Sequence, residues 1–152
     1  MSARPAGPAG RSTTSGVLAG LGLVAFVDET VFHQLLRWHH FYDRSTADAG
    51  LVSDGVFHAV GFVAVVTGLF LFADLRRRHA FVAGRWVGGV LLGAGAFQLY
   101  DGLVQHKVFG LHQIRYGVDL LPYDLVWNVV AAVLLVVGAV LTRRPRRVRS
   151  EA

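Results

Sequence analysis

Four blocks of apolar sequence, each long enough to cross a lipid bilayer, decide what this 152-residue chain can become. They run over about 16–38, 54–75, 86–106 and 124–142. The first corresponds to roughly 34 Å of helix at about 1.5 Å per residue, against a hydrocarbon core about 30 Å thick. Inside that core the backbone must satisfy its own polar groups, which favours helices over irregular chain. The expected fold is therefore all-α, a single integral membrane four-helix bundle. Composition agrees, with 53% hydrophobic and only 16% charged residues. Gly88, Gly89, Gly93 and Gly95 give the third span a smooth side for close helix approach.

Charge placement orients the bundle. Arg4 and Arg11 precede the first span, and Arg76, Arg77, Arg78 and Arg85 flank the connection between the second and third. Arg143, Arg144, Arg146, Arg147 and Arg149 follow the fourth, whereas Arg37, Arg44, Lys107 and Arg115 lie at the opposite end. Eleven against four predicts a multi-pass protein of a bacterial plasma membrane with both termini in the cytoplasm. The domain plan is a flexible cytoplasmic N-terminus over 1–15, a membrane domain over 16–142 and a basic tail over 143–152. The tail reads as a topology and anionic-lipid signal. Without aromatic interleaving or a binding motif it does not point to nucleic acid. A cleaved signal peptide over 1–27 would need a small-residue cleavage site, and none is clear.

An internal spacing adds detail. Asp28, His33 and His39 are matched by Asp101, His106 and His112, both reading Asp-x4-His-x5-His and shifted by 73 residues. Asp54-x3-His58 is answered by Asp124-x3-Asn128, shifted by 70. Each half holds two spans, so the reading is two parallel two-helix repeats about an axis along the membrane normal.

The stretch Phe26-Val27-Asp28-Glu29-Thr30-Val31-Phe32-His33-Gln34-Leu35-Leu36-Arg37-Trp38-His39-His40 resembles the signature of an uncharacterised bacterial membrane-protein family, DUF2243. Asp101-Gly102-Leu103-Val104-Gln105-His106-Lys107 and Tyr123-Asp124-Leu125-Val126-Trp127-Asn128 are similar to its later motifs. The resemblance covers nearly the whole chain beyond the first fifteen residues. It implies a membrane architecture and no activity, so the chemistry rests on the residues.

Acids within a span cost about 2.5–3.5 kcal/mol each near the bilayer centre, and Asp28, Glu29 and Asp101 need a reason to be there. Counting from the span ends predicts that His33, His58, His106 and Asn128 share one layer below the outer interface. Asp28 and Asp101 then sit about 7.5 Å deeper, with Asp54, Asp124, His39 and His112 above. Glu29 and His33 share a helix face, as do Asp54 and His58. Asp28 and His33 are about 140° apart on an ideal helix, so both face inward only across a wide wedge or a local distortion.

Imidazole and carboxylate at one depth suggest a metal site for zinc, iron, manganese or copper(II). His33, His58 and His106 are the expected ligands, and Asp28, Glu29 and Asp101 either join them or accept their ring N–H groups. His39, His40 and His112, with Asp54, Asp124 and Asn128, form a possible outer cluster. The absence of cysteine, with Met1 the only methionine, removes thiolate chemistry, disulfides and soft copper(I) storage. Haem b held by His33 and His106 is a related reading. A different class is a proton or ion pathway through Asp28, His33, Asp101 and His106. The structural alternative makes the Asp/His pairs mere helix glue, Asp54 and Asp124 N-caps, and His39, His40 and His112 solvated loop residues. Trp38, Trp86, Trp127, Tyr42, Tyr116 and Tyr123 read as interfacial anchors. No nucleophile motif, phosphate loop or dinucleotide fingerprint appears, which leaves enzymatic activity open. Short loops favour a small subunit or metal chaperone serving a larger membrane redox complex, or a homo-oligomer.

Overall fold

A computed structural model describes residues 7–143, and within them all the regular structure is helical. Helix α1 (Pro8–Asp28) continues without a break as a π-helix over Glu29–Leu35. Helix α2 spans Ala47–Arg77. Helix α3 (Ala83–Leu99) again continues as a π-helix, over Tyr100–Phe109, and α4 spans Leu121–Arg143. The four continuous rods are 28, 31, 27 and 23 residues long, and each is apolar enough to cross a membrane.

All four starts lie earlier than hydropathy suggested. Residues 8–15, expected as a flexible arm, form the first two turns of α1, with Pro8 in the first turn. Two of their polar side chains face inward: Ser12 Oγ accepts the Val82 N–H (3.1 Å), and Ser15 Oγ donates to Gly68 O (2.7 Å). Helix α2 begins at Ala47, capped by Thr46, whose Oγ1 accepts the Ala49 N–H at 3.3 Å. Asp54 is thus two turns inside the helix, and the N-cap reading of it is wrong. The same holds for Asp124, which lies in the first turn of α4 behind Leu121, whose N–H is taken by Asp119 Oδ1 at 3.1 Å. Arg4, Arg144, Arg146, Arg147 and Arg149, which carry much of the charge asymmetry, lie outside the described residues.

Burial is inverted relative to a water-soluble bundle. Asp28, Glu29, His33, Asp54, Asp101 and His106 are buried, whereas Val52, Val60, Phe70, Leu125, Val133 and Val136 stand more than half exposed on α2 and α4. Facing lipid, such a surface costs nothing, and polar groups must find partners inside.

The centre of the bundle is α1 against α3, with α2 packed on α1 and α4 on α3. The central pair meets backbone to backbone. A methyl group at Gly16 or Gly20 would collide with the carbonyls of Trp86 or Val90, and one at Gly89 or Gly93 with those of Thr13 or Val17. Each of these contacts has its counterpart 73 residues away. In a membrane, where apolar burial drives nothing, such small-residue contacts hold helices together. Trp86 and Trp127, expected as interfacial anchors, also tie helices together: Trp86 Nε1 donates to Ser15 Oγ (3.2 Å) and Trp127 Nε1 to Gln98 O (2.8 Å).

The contact predicts a sharp position dependence. Gly93→Ala should destabilise the micellar protein by about 1–3 kcal/mol through overpacking, while Gly55→Ala should be neutral or slightly stabilising. A methyl at Gly55 meets no atom within 4 Å. Unfolding by SDS or heat, followed by circular dichroism, checks both.

Candidate metal centre at the loop end of the bundle

Five-residue spacing is awkward for an α-helix and natural for a π-helix, whose i→i+5 bonding stacks residues five apart on adjacent turns. Asp28 and His33 straddle the start of the first π segment, and Asp101 and His106 lie within the second. The local distortion that the sequence required is this π winding. It brings His33 Nε2 to 3.6 Å from Asp28 Oδ2 and His106 Nε2 to 3.1 Å from Asp101 Oδ2. Both segments close in the same way, with Trp38 N–H on Phe32 O (2.9 Å) and Leu111 N–H on Gln105 O (3.0 Å). Left-handed residues follow at Arg37 (φ 51°) and Gly110 (φ 54°), positions 73 apart.

That reversal folds His39 and His112 back over the helix ends, where they are buried rather than solvated. Their rings stack face to face, with centroids 4.5 Å apart and planes 7° from parallel. His33 lies 4.4 Å from His39, and His106 lies 4.7 Å from His112. The inner and outer layers inferred from sequence are therefore one cluster of four imidazoles.

Hydrogen bonding fixes the outer pair's tautomers. His39 Nδ1 lies 3.0 Å from Ile114 O, and His112 Nδ1 lies 2.9 Å from Phe41 O. A carbonyl only accepts, so both Nδ1 atoms carry hydrogen and each neutral ring offers a lone pair at Nε2. Burial, reinforced by the neighbouring His112 and His33 rings, pushes His39 down to about 2, so that ring is neutral.

The two halves then part company. Around His33 stand three acids: Asp28, Glu29 (Oε2 to Nδ1, 2.9 Å) and Asp54 (Oδ1 to Nδ1, 3.1 Å). Asp54 also accepts from His40 Nδ1 (2.6 Å) and the Phe41 N–H (2.7 Å). Gln34 Nε2, five residues from Glu29, donates to its Oε1 at 2.8 Å. On the other side Gly102 occupies the place of Glu29, and Asp124 forms an ion pair with Lys107. Asp101 is shared by His106 and His112, whose Nε2 is 3.5 Å from Oδ1.

Two groups of donor atoms converge closely enough for one ion each: Asp101, His106 and His112, and Glu29, His33 and Asp54. Within each group the atoms lie within 4.8 Å of one another. Of the expected residues, Asp28 and His58 do not join them; Asp28 stays beside His33 Nε2 at 3.6 Å, outside both groups, and His58 lies apart. It is half-buried with its ring on Phe26 at 4.5 Å, and Asp54, one turn nearer the loop end, takes its place. Helix α2 starts at Ala47 rather than Asp54, so counting inward from Asp54 set the layer about one turn too deep. Asn128 Nδ2 is spent on Asp124 O (2.8 Å), and neither residue enters a group. Sequence reasoning missed Gln34, Gln105 and the carbonyls of Phe41 and Ile114. A five-residue period marks Gln34, whereas backbone acceptors leave no mark in a sequence.

The model of the family described as "Predicted membrane protein (DUF2243)" matches residues 15–145. The chain belongs to this family. No curated protein and no solved structure matches. The DUF2243 match thus supports the membrane assignment, and the cluster's chemistry rests on its geometry.

The tautomer assignment is testable. In 15N-histidine spectra of micellar DUF2243 protein, His39 should stay neutral with hydrogen on Nδ1 down to pH 5, where an unperturbed imidazole with pKa about 6.5 is charged. A His39 signal titrating near that value would contradict it.

Proposed function

We propose that this DUF2243 protein is a membrane metal-binding protein holding a divalent ion between Asp101, His106 and His112. The carrying observation is the mismatch at Asp101. His112 has already committed its Nδ1–H to Phe41 O, so its Nε2 lone pair confronts a carboxylate oxygen at 3.5 Å. His106 Nε2 lies 3.1 Å from the other oxygen, yet neither of its ring nitrogens makes a hydrogen bond. A neutral His112 Nε2 facing the carboxylate in a buried site repels it unless a cation lies between them. A proton on His112 would balance Asp101 but leave both ring nitrogens of His106 without a hydrogen-bond partner. One metal ion satisfies all three groups. For metal–ligand bonds of about 2.0–2.1 Å, neighbouring ligand atoms of a tetrahedron lie about 3.3 Å apart, and each imidazole Nε2 stands near that distance from one oxygen of Asp101.

Two imidazoles and one carboxylate suit zinc or iron(II) and leave positions open for a further ligand. The backbone carbonyl behind His112 orients the ring as a hydrogen-bonded partner does in other metal sites. A metal ion fits better than haem, because the four rings already contact one another at the centre of the cluster.

This reading places the cluster toward the outer face of a bacterial plasma membrane, with both termini cytoplasmic and two parallel repeats meeting at the site. The matching contacts 73 residues apart support the repeat, and the arginines near Arg76–Arg78 support the orientation. The role that follows is metal handling, or supply of a metal to a larger membrane redox complex.

Elemental analysis of untagged, detergent-purified protein is the test. Wild type should carry zinc, iron or copper in stoichiometric amount, and His106→Ala and His112→Ala should each lose one equivalent of that bound metal with the helical signal intact. Purified protein that holds no metal and gains none on addition of these ions ends the proposal.

A further inference from the structure

The first-half group differs from the Asp101 group in charge and in access. Three buried acids surround His33, each with a side chain no more than 5% exposed. A protonated His33 offsets one negative charge, and His40, bonded to Asp54, offsets a second at most. Glu29 Oε2 has no hydrogen-bond partner and His33 Nε2 none either, although both are fully enclosed. An unpaired buried carboxylate oxygen beside surplus negative charge is costly, and a cation removes both costs. The surplus does not come with the repeated spacing, since Gly102 replaces Glu29 in the other half.

Access comes from a cleft of about 750 Å³ whose lining includes His33, Gln34, Arg37, His40, Asp43 and Ala47. It opens among the 36–46 loop and the start of α2, so His33 is reached from the water-facing end of the bundle. Of the three donors His33 alone lines the cleft, with Glu29 and Asp54 behind it, and the lining does not include Asp101, His106 or His112.

We infer a second, exchangeable divalent-cation site formed by Glu29, His33 and Asp54 and loaded through this cleft, beside the enclosed ion at Asp101, His106 and His112. The inference rests on the metal-binding reading above, and it divides the labour: a carboxylate-rich site reached past His33 takes up the ion, and an imidazole-rich site retains one. Two carboxylates to one imidazole make the first group the harder donor set, suited to manganese(II), iron(II) or zinc ahead of copper. The two groups share no ligand, so each can be emptied separately.

The test is titration of the metal-stripped full chain, in detergent micelles, with cobalt(II) alone, read by visible absorption and equilibrium dialysis. Wild type should bind two equivalents, one removed by EDTA at least tenfold faster than the other. Glu29→Gln should retain only the slow equivalent, and His106→Ala only the fast one. Ala47→Trp, which narrows the cleft mouth without touching a donor, should slow the fast phase and leave the stoichiometry at two. It also guards against a Glu29→Gln protein that fails to fold. One equivalent, lost in His106→Ala and unchanged in Glu29→Gln, overturns the second site and leaves the first standing. Two equivalents released at one rate, or wild-type loading of Ala47→Trp, overturn the open route. No binding at all overturns both proposals.

Discussion

The structure depends on the contact between α1 and α3, where glycines let two parallel backbones touch. Side chains of ordinary size would hold the axes apart, and every group carried at the far ends of these helices would separate with them. The contact costs little conformational entropy to specify, because it involves few rotatable side chains. It also needs no hydrophobic driving force, which lipid does not supply. Its outcome is that two rigid rods deliver Asp28 with His33, and Asp101 with His106, to the same end of the bundle.

At that end the helices change winding. A π segment of seven residues in one rod and ten in the other is long for a form found mostly as single turns at functional sites. The change places residues five apart on one face, and the left-handed residue that follows turns the chain sharply enough to bring a second histidine over each end. Gly110 adopts that conformation freely, whereas Arg37 pays a backbone penalty of about 1–2 kcal/mol. The strain sits beside the cleft that leads to His33, where strained backbone in other proteins is often tied to a site.

Much of this was legible in the residues. Four long apolar blocks required four spans, acids within them required an internal site, and the awkward 140° between Asp28 and His33 announced a distortion. What misled was the assumption that a helix begins where hydrophobicity begins. Ser12, Ser15 and the turns ahead of Asp54 are polar or small yet helical and partly buried, so the depth count placed His58 where Asp54 stands. His39 and His112 read either as a possible outer cluster or as solvated loop residues, because a loop's path is not encoded in any periodicity. Only the left-handed reversals reveal that their rings turn inward, and Arg37 gives no sequence hint of such a reversal.

The crossing of the two loops has a consequence for how the site is owned. Ile114, from the second half, holds the first half's His39, while Phe41, from the first, holds the second's His112. Cut the chain between α2 and α3 and each piece keeps its acids and all its histidines, but loses the carbonyl that aims one ring. Ligand orientation is thus a property of the joined molecule, and neither half-protein carries the instructions for its own imidazole.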